Sequence, residues 1–253
     1  EIGIVPNSTK AYVVGDPTLV VPEAEYTVKY TTAHKMIENK DNLVPSFSGE
    51  AKLEVKNGEI IGWENGQFLY RGANAVDVNI QITNNCKEIA FSLKAASDGI
   101  MWQTTGYFLY VNEGTASLYR VADPSTWNAE LLASVGVNNI FDGKVHNFKF
   151  YAVKDSLGHL QLGYSIDGAN TTKAVDSGEI LNEESDNFKI VSVNSTVLYK
   201  VLPDEAEHTY GEPEVTAPTC TEKGFETLTC TGCGHVIVRE GAAALNHDYV
   251  ETV

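Results

Sequence analysis

Turn chemistry constrains this chain more than any other feature in it. Asn57-Gly58, Asn65-Gly66, Asp98-Gly99, Asn112-Glu113-Gly114, Asp142-Gly143 and Asp167-Gly168 punctuate the sequence. Each places residues that tolerate positive φ at the tip of a tight reversal. Between them run short stretches with apolar residues at every second position, at 25–30, 51–55, 76–82, 89–93, 106–111, 116–121, 146–153, 160–166 and 189–193. A period of two buries one face of a strand, and the 3.6-residue spacing of an amphipathic helix is hard to find. Short strands joined by hairpins predict an all-β fold, a two-sheet antiparallel sandwich over residues 25–202.

Helix is expected only in short pieces, at Thr32–Glu38 and at Pro124–Leu132, where Asp123 can cap a turn that begins on proline. Residues 1–24, with three prolines, read as a linker or an edge strand. The opening Glu1-Ile2-Gly3-Ile4-Val5-Pro6 lacks the blocks of a signal peptide, so a mature chain or a piece of a longer one is expected. With 43% apolar and 21% charged residues the chain has the composition of a folded protein.

Near residue 203 the text changes. Apolar alternation stops, and residues 203–253 carry ten acids and two bases, half of the chain's net charge of −16 in a fifth of its length. Such a surface repels DNA, RNA and anionic membranes, and no Lys/Arg stripe interleaved with aromatics offsets it. No apolar run is long enough to insert into a bilayer. His208-Thr209-Tyr210 and His247-Asp248-Tyr249 lie 39 residues apart, so the tail reads as one repeat followed by the opening of another, and the chain as part of a longer protein.

Three of the four cysteines sit in this tail, as Cys220-x9-Cys230-x2-Cys233 followed by Gly234. A two-residue spacer brings both thiolates to one ion, and the glycine lets the backbone turn its amides toward sulfur. Cys220, Cys230, Cys233 and one histidine, His247 ahead of His208 and His235, would complete a structural zinc site in a unit too small for its own core. A disulfide with one thiol left over is the rival reading. Cys86, alone on the sandwich, reads as a small buried hydrophobe.

Two resemblances accompany these patterns. The tail, from Pro218-Thr219-Cys220 through Cys230-Thr231-Gly232-Cys233-Gly234 to Ala244-Leu245-Asn246-His247, resembles the cysteine-containing repeat of secreted and cell-surface proteins of gut Clostridia. Asn246 stands where those repeats usually carry glycine. The likeness implies a secreted or cell-surface parent. In the sandwich, Gly106-Tyr107-Phe108-Leu109-Tyr110-Val111, Asp142-Gly143-Lys144-Val145-His146 and the strand ending in Asp167-Gly168 are similar to the concanavalin A-like (laminin G-like) jelly roll. That fold hosts lectins, carbohydrate-binding modules, glycosidases and adhesion domains.

A glycosidase needs two carboxylates across the scissile bond, and the alternating acids that this sandwich class sets along one strand are not in the sequence. Glu183-Glu184-Ser185-Asp186 reads as a solvated turn, Glu54 and Glu59 as flanks of a hairpin, and Asp167 as a turn residue or a calcium ligand. No nucleophile elbow or phosphate loop is present either, so a non-enzyme is expected. What remains is aromatic. Trp63, Trp102 and Trp127 fall in or beside loops, with Gln103 and Asn128 next to two of them. Indole faces stack on sugar C–H surfaces while amides meet hydroxyls. Trp102, Gln103, Trp127, Asn128 and Trp63, with Tyr119 and Arg71 behind them, are the candidate ligands of a polysaccharide or host glycan. The alternatives are a protein-binding adhesion module, with the tryptophans as anchors, and an atypical glycoside hydrolase.

Overall fold

The computed structural model describes residues 2–4, 11–13, 24–45, 52–63, 68–83, 86–96, 104–125, 128–192 and 199–246. Alternation becomes two stacked sheets, antiparallel throughout except for one short parallel pairing. One sheet has the order β12 (Asn128–Gly136), β11 (Thr115–Asp123), β10 (Gly106–Asn112), β9 (Glu88–Leu93), β16 (Asn187–Ser192), β7 (Phe68–Arg71) and β4 (Leu43–Pro45). The other runs β15 (Thr172–Asp176), β14 (Leu160–Ile166), β13 (Val145–Lys154), β8 (Ala75–Ile82), β17 (Tyr199–Leu202), β6 (Glu59–Trp63) and β5 (Lys52–Lys56). A two-residue strand, β3 (Thr31–Thr32), joins β8 in parallel. The architecture is the expected two-sheet sandwich.

Between the sheets the strands set their apolar positions face to face. Phe91 of one sheet meets Phe148 of the other with ring centroids 4.8 Å apart. Val78, Ile80, Leu109, Leu118, Phe150, Leu162, Phe188 and Tyr199 close the same core at 1% exposure or less. Each such side chain contributes roughly 1.5–3 kcal/mol on leaving water. At an open edge Arg120 bridges the layers. Its Nε lies 2.9 Å from Asp176 Oδ2, which also accepts from the Tyr107 hydroxyl at 2.6 Å.

The Asn57–Gly58 hairpin between β5 and β6 has φ of 50° and 72°, the left-handed pair its sequence demands. The helix expected at Thr32–Glu38 is α1 (Ala33–Glu38), capped by Thr32, whose Oγ1 accepts from Lys35 N. Six residues cannot hold a helix alone. α1 is held by burying Ala33, His34, Met36 and Ile37, packed on β6, β8 and β17.

Two expectations fail. Residues 124–125 form a turn and Asn128–Gly136 is a strand, not a helix. Ala-Glu-Leu-Leu-Ala has helical propensity, but the open edge of β11 offers it a ladder. Residues 25–30 form no strand: Glu25 makes a single backbone exchange with Ser156, through Ser156 N to Glu25 O at 2.9 Å.

Beyond β17 a 3-10 turn at Glu205–Glu207 leads to a separate antiparallel sheet of β18 (Glu214–Thr216), β19 (Phe225–Thr229) and β20 (Val236–Glu240). Among its described residues the tail buries only Gly224, Leu228, Cys230 and Cys233. β1 (Ile2–Ile4) and β2 (Ala11–Val13) make a two-stranded ladder of their own. No helix among the described residues is long and apolar enough to cross a membrane.

Candidate metal centre and sheet-end surface

The cysteine knuckle is built as its spacing suggests. Cys230 N donates to His235 O at 2.8 Å, Gly234 N donates to Cys230 O at 3.0 Å, and Gly234 takes φ 75°. The segment before the repeat lies against it, with Thr231 N bonded to Thr209 O and Tyr210 bridged to Cys230. That pairing delivers His208 to the sulfurs, with Nδ1 3.3 Å from Cys233 Sγ. The fourth member comes from the sandwich. His34 of α1 points Nε2 at Cys230 Sγ from 3.6 Å. One ligand atom from each of His34, His208, Cys230 and Cys233 falls within 4.8 Å of the others, in a pocket where only His208 is more than marginally exposed.

Electrostatics fit a cation between the sulfurs. Burial raises the Cys230 thiol, but donation from the Cys233 amide and from the His34 and His208 rings outweighs this and brings it down to about 5. Burial, and the neighbouring Cys230, push the Cys233 thiol up. A second thiolate forms reluctantly beside the first unless positive charge is shared between them. All four cysteines are unbridged.

This group overlaps the one expected from the repeat without repeating it. Cys230 and Cys233 belong to it, Cys220 is exposed and outside it, and His208, an alternative to His247 in that expectation, is the tail histidine among the described residues. His247 lies outside the described residues. The knuckle turns its sulfurs toward the sandwich, whereas Cys220 sits at the far margin of the small sheet, where its carbonyl accepts from Asn246 N. His235 stacks on His208 at 4.4 Å and bonds to the Tyr210 hydroxyl, as a neighbour rather than a member. His34 was not among the candidates. The signal available was a histidine among the apolar positions Ala33, Met36 and Ile37 of a short capped helix.

The other candidates concern the outer face of the seven-stranded sheet. Registers align Val44, Leu69, Lys189, Ser92, Phe108, Tyr119 and Leu131 in one row across all seven strands. The centre of the row is buried, and it opens at half-buried Tyr119 and at Leu131, which is 55% exposed. Tyr119 packs with Tyr110 around Phe108. At one end of this sheet β10 begins opposite Val121, β12 begins opposite Asp123, β9 finishes opposite Tyr107, and Arg71, exposed, ends β7 opposite Asn187. Trp102, Gln103 and Trp127 lie outside the described residues, as does the Asn128 side chain. Their described flanks, Thr104 and Ser125 with the Asn128 backbone, stand at that end. Trp63 closes β6 in the other sheet, next to Gly62, which pairs with Tyr199 and through it with Ile82. That is the opposite end of the sandwich.

Several acids of the sandwich hold turns and layers together. Asp155 accepts from Leu157 N, His159 N and Gln161 Nε2. Glu59 pairs with Lys200, and Glu183 with Lys154. Asp167 takes His146 Nδ1 on one oxygen, at 2.7 Å, and Asn147 N on the other, which is the turn-holding role. His146 Nε2 meets Asp142 at 3.0 Å, so one imidazole joins two Asp-Gly turns. Burial lowers the His146 pKa, but the two carboxylates outweigh it and raise the value overall. Hydrogen bonds from His146 and the Lys144 amide hold the Asp142 carboxyl well below its usual range.

No protein-family model and no curated protein matches the sequence. Among solved structures the chain is similar to the carbohydrate recognition domain of Emp46p in its potassium-bound form, at 10% identity over 66% of this chain and 88% of that one, with a TM-score of 0.46. The carbohydrate-binding module CBM66 from Bacillus subtilis is 14% identical over 65% and 96%, with a TM-score of 0.43. Alginate lyase A1-II′, a member of polysaccharide lyase family 7, is 9% identical over 61% and 82%, with a TM-score of 0.39. Likeness at this level describes how strands are stacked and transfers no site.

Proposed function

We propose that the sandwich is a non-catalytic polysaccharide-binding module of a secreted or cell-surface protein, and that its glycan lies across the end of the seven-stranded sheet where Arg71 stands and reaches along the outer face to Tyr119. What supports this reading is convergence: Arg71 and the described flanks of Trp102, Gln103, Trp127 and Asn128 come from separate strands to one sheet end, and Tyr119 lies two residues inward of it on β11. Aromatic faces beside amides and a guanidinium are the chemistry that sugar C–H surfaces and hydroxyls require. Trp63 is not part of this site. The tail, residues 203–253, is a spacer that takes no part in holding the sugar.

Affinity electrophoresis of the folded protein against a panel of plant and host polysaccharides tests the reading. Retardation by at least one glycan is expected, weakened about tenfold or more by Tyr119→Ala or Arg71→Ala, the loss of one contact worth roughly 1.4 kcal/mol. Folded protein that no glycan retards ends the proposal, and release of reducing sugar replaces it with a hydrolase.

A further inference from the structure

We infer that His34, His208, Cys230 and Cys233 form one closed tetrahedral site for a structural zinc ion, whose coordination fastens the cysteine-rich tail to the sandwich. This stands independently of what the sheet end binds. The distances carry it. Zinc–nitrogen and zinc–sulfur bonds of about 2.0–2.3 Å give a tetrahedron with edges of about 3.3–3.8 Å. The two edges between tail and sulfur and between sandwich and sulfur are Cys233 Sγ to His208 Nδ1 at 3.3 Å and Cys230 Sγ to His34 Nε2 at 3.6 Å. Two thiolates with two imidazoles are a zinc set, and four protein donors leave no open position, so the ion holds structure rather than activating water.

The surroundings are those of a formed site. Glu38 Oε1 stands 3.7 Å from His34 Nδ1, on the side of the ring where an outer carboxylate orients a metal-binding imidazole, and Lys35 pairs with Glu38 in turn. Gly232 lies so close that a Cβ would come within 2.6 Å of Glu38 Oε1 and 2.9 Å of His34 Nε2. A side chain at this position would have to displace the Glu38 carboxylate and the His34 ring. A second contact sets the same docking: the Asn57–Gly58 hairpin lies under His235, and Val236 N donates to Asn57 Oδ1 at 3.2 Å. Cys230 and Cys233 share one apolar cluster with Ala33, Met36 and Ile37.

The test uses the full chain, purified under reducing conditions and loaded with zinc. One zinc per chain is expected, with an X-ray absorption shell of two sulfurs and two nitrogens. His34→Ala should weaken zinc by more than the roughly 10–100-fold that loss of an outer-shell partner costs, and His34→Cys should recover most of it as a third thiolate. Cys220→Ser and His247→Ala should leave affinity unchanged. A shell of three sulfurs in the wild-type protein, unchanged affinity in His34→Ala, or a chain that takes up no zinc each overturns the inference. The absorption shell is read on the unmodified protein, so a variant that fails to fold does not shield the proposal.

Discussion

At the scale of single residues, the polar groups buried in this sandwich act as fasteners. His146 joins the Asp142 and Asp167 turns. Its pKa is raised on folding, so its contribution is complete below the unfolded value of about 6.5 and is lost as pH rises through the higher folded value. Urea midpoints should therefore fall as pH rises above about 6.5, and His146→Gln should flatten that limb. A midpoint indifferent to pH in the wild type would contradict the role. Asp176 holds both Tyr107 and Arg120, and Asp176→Ala should cost about 3 kcal/mol in equilibrium unfolding because it strands a cation and a buried hydroxyl. None of this was legible in advance. Asp167 could be read only as a turn residue or an ion ligand, since its partner His146 lies 21 positions away on a neighbouring strand. The cysteine knuckle was legible because its chemistry is local; His34 was not, because α1 and the knuckle meet only through tertiary packing.

At the scale of elements, the sequence marks turns better than it marks edges. Asn57-Gly58 and Asp167-Gly168 adopt the positive φ their composition announces, and the central strands β8, β9, β10, β11, β13 and β14 follow their alternation. β12 escaped because an edge strand takes its conformation from the neighbour it pairs with, whatever the propensity of Ala-Glu-Leu-Leu-Ala. The Asn57–Gly58 hairpin does more than reverse the chain. A Cβ at Gly58 would lie 2.7 Å from His235 Cβ, whereas at Gly143, φ 81°, it would meet nothing within 4 Å. Gly143→Ala should cost only the left-handed strain, about 1–2 kcal/mol. Gly58→Ala should cost more and also weaken zinc binding, which Gly143→Ala should not. Calorimetry with a zinc titration on both variants compares them, and equal zinc affinity would show that the hairpin does not set the docking.

At the scale of the whole molecule, the chain is a sandwich with a self-sufficient core and a tail without one. Removing zinc under reducing conditions should leave amide protection in β8, β9, β10 and β13 unchanged while exchange in β18–β20 and at Ala33–Glu38 accelerates at least tenfold, a population shift of about 1.4 kcal/mol. Uniform protection with and without zinc would mean that the tail is held by packing alone. The place where coordination enters the fold has a mechanical consequence. Without the ion, tension drawn through the tail reaches the sandwich at Leu202, the end of β17, a strand between β8 and β6 whose removal would split the sheet. With it, the pull passes through the sulfurs into α1 and the Asn57–Gly58 tip, residues 203–207 stay slack, and β17 is spared. A module on such a tether would keep its sheet under strain for as long as four bonds to one ion endure.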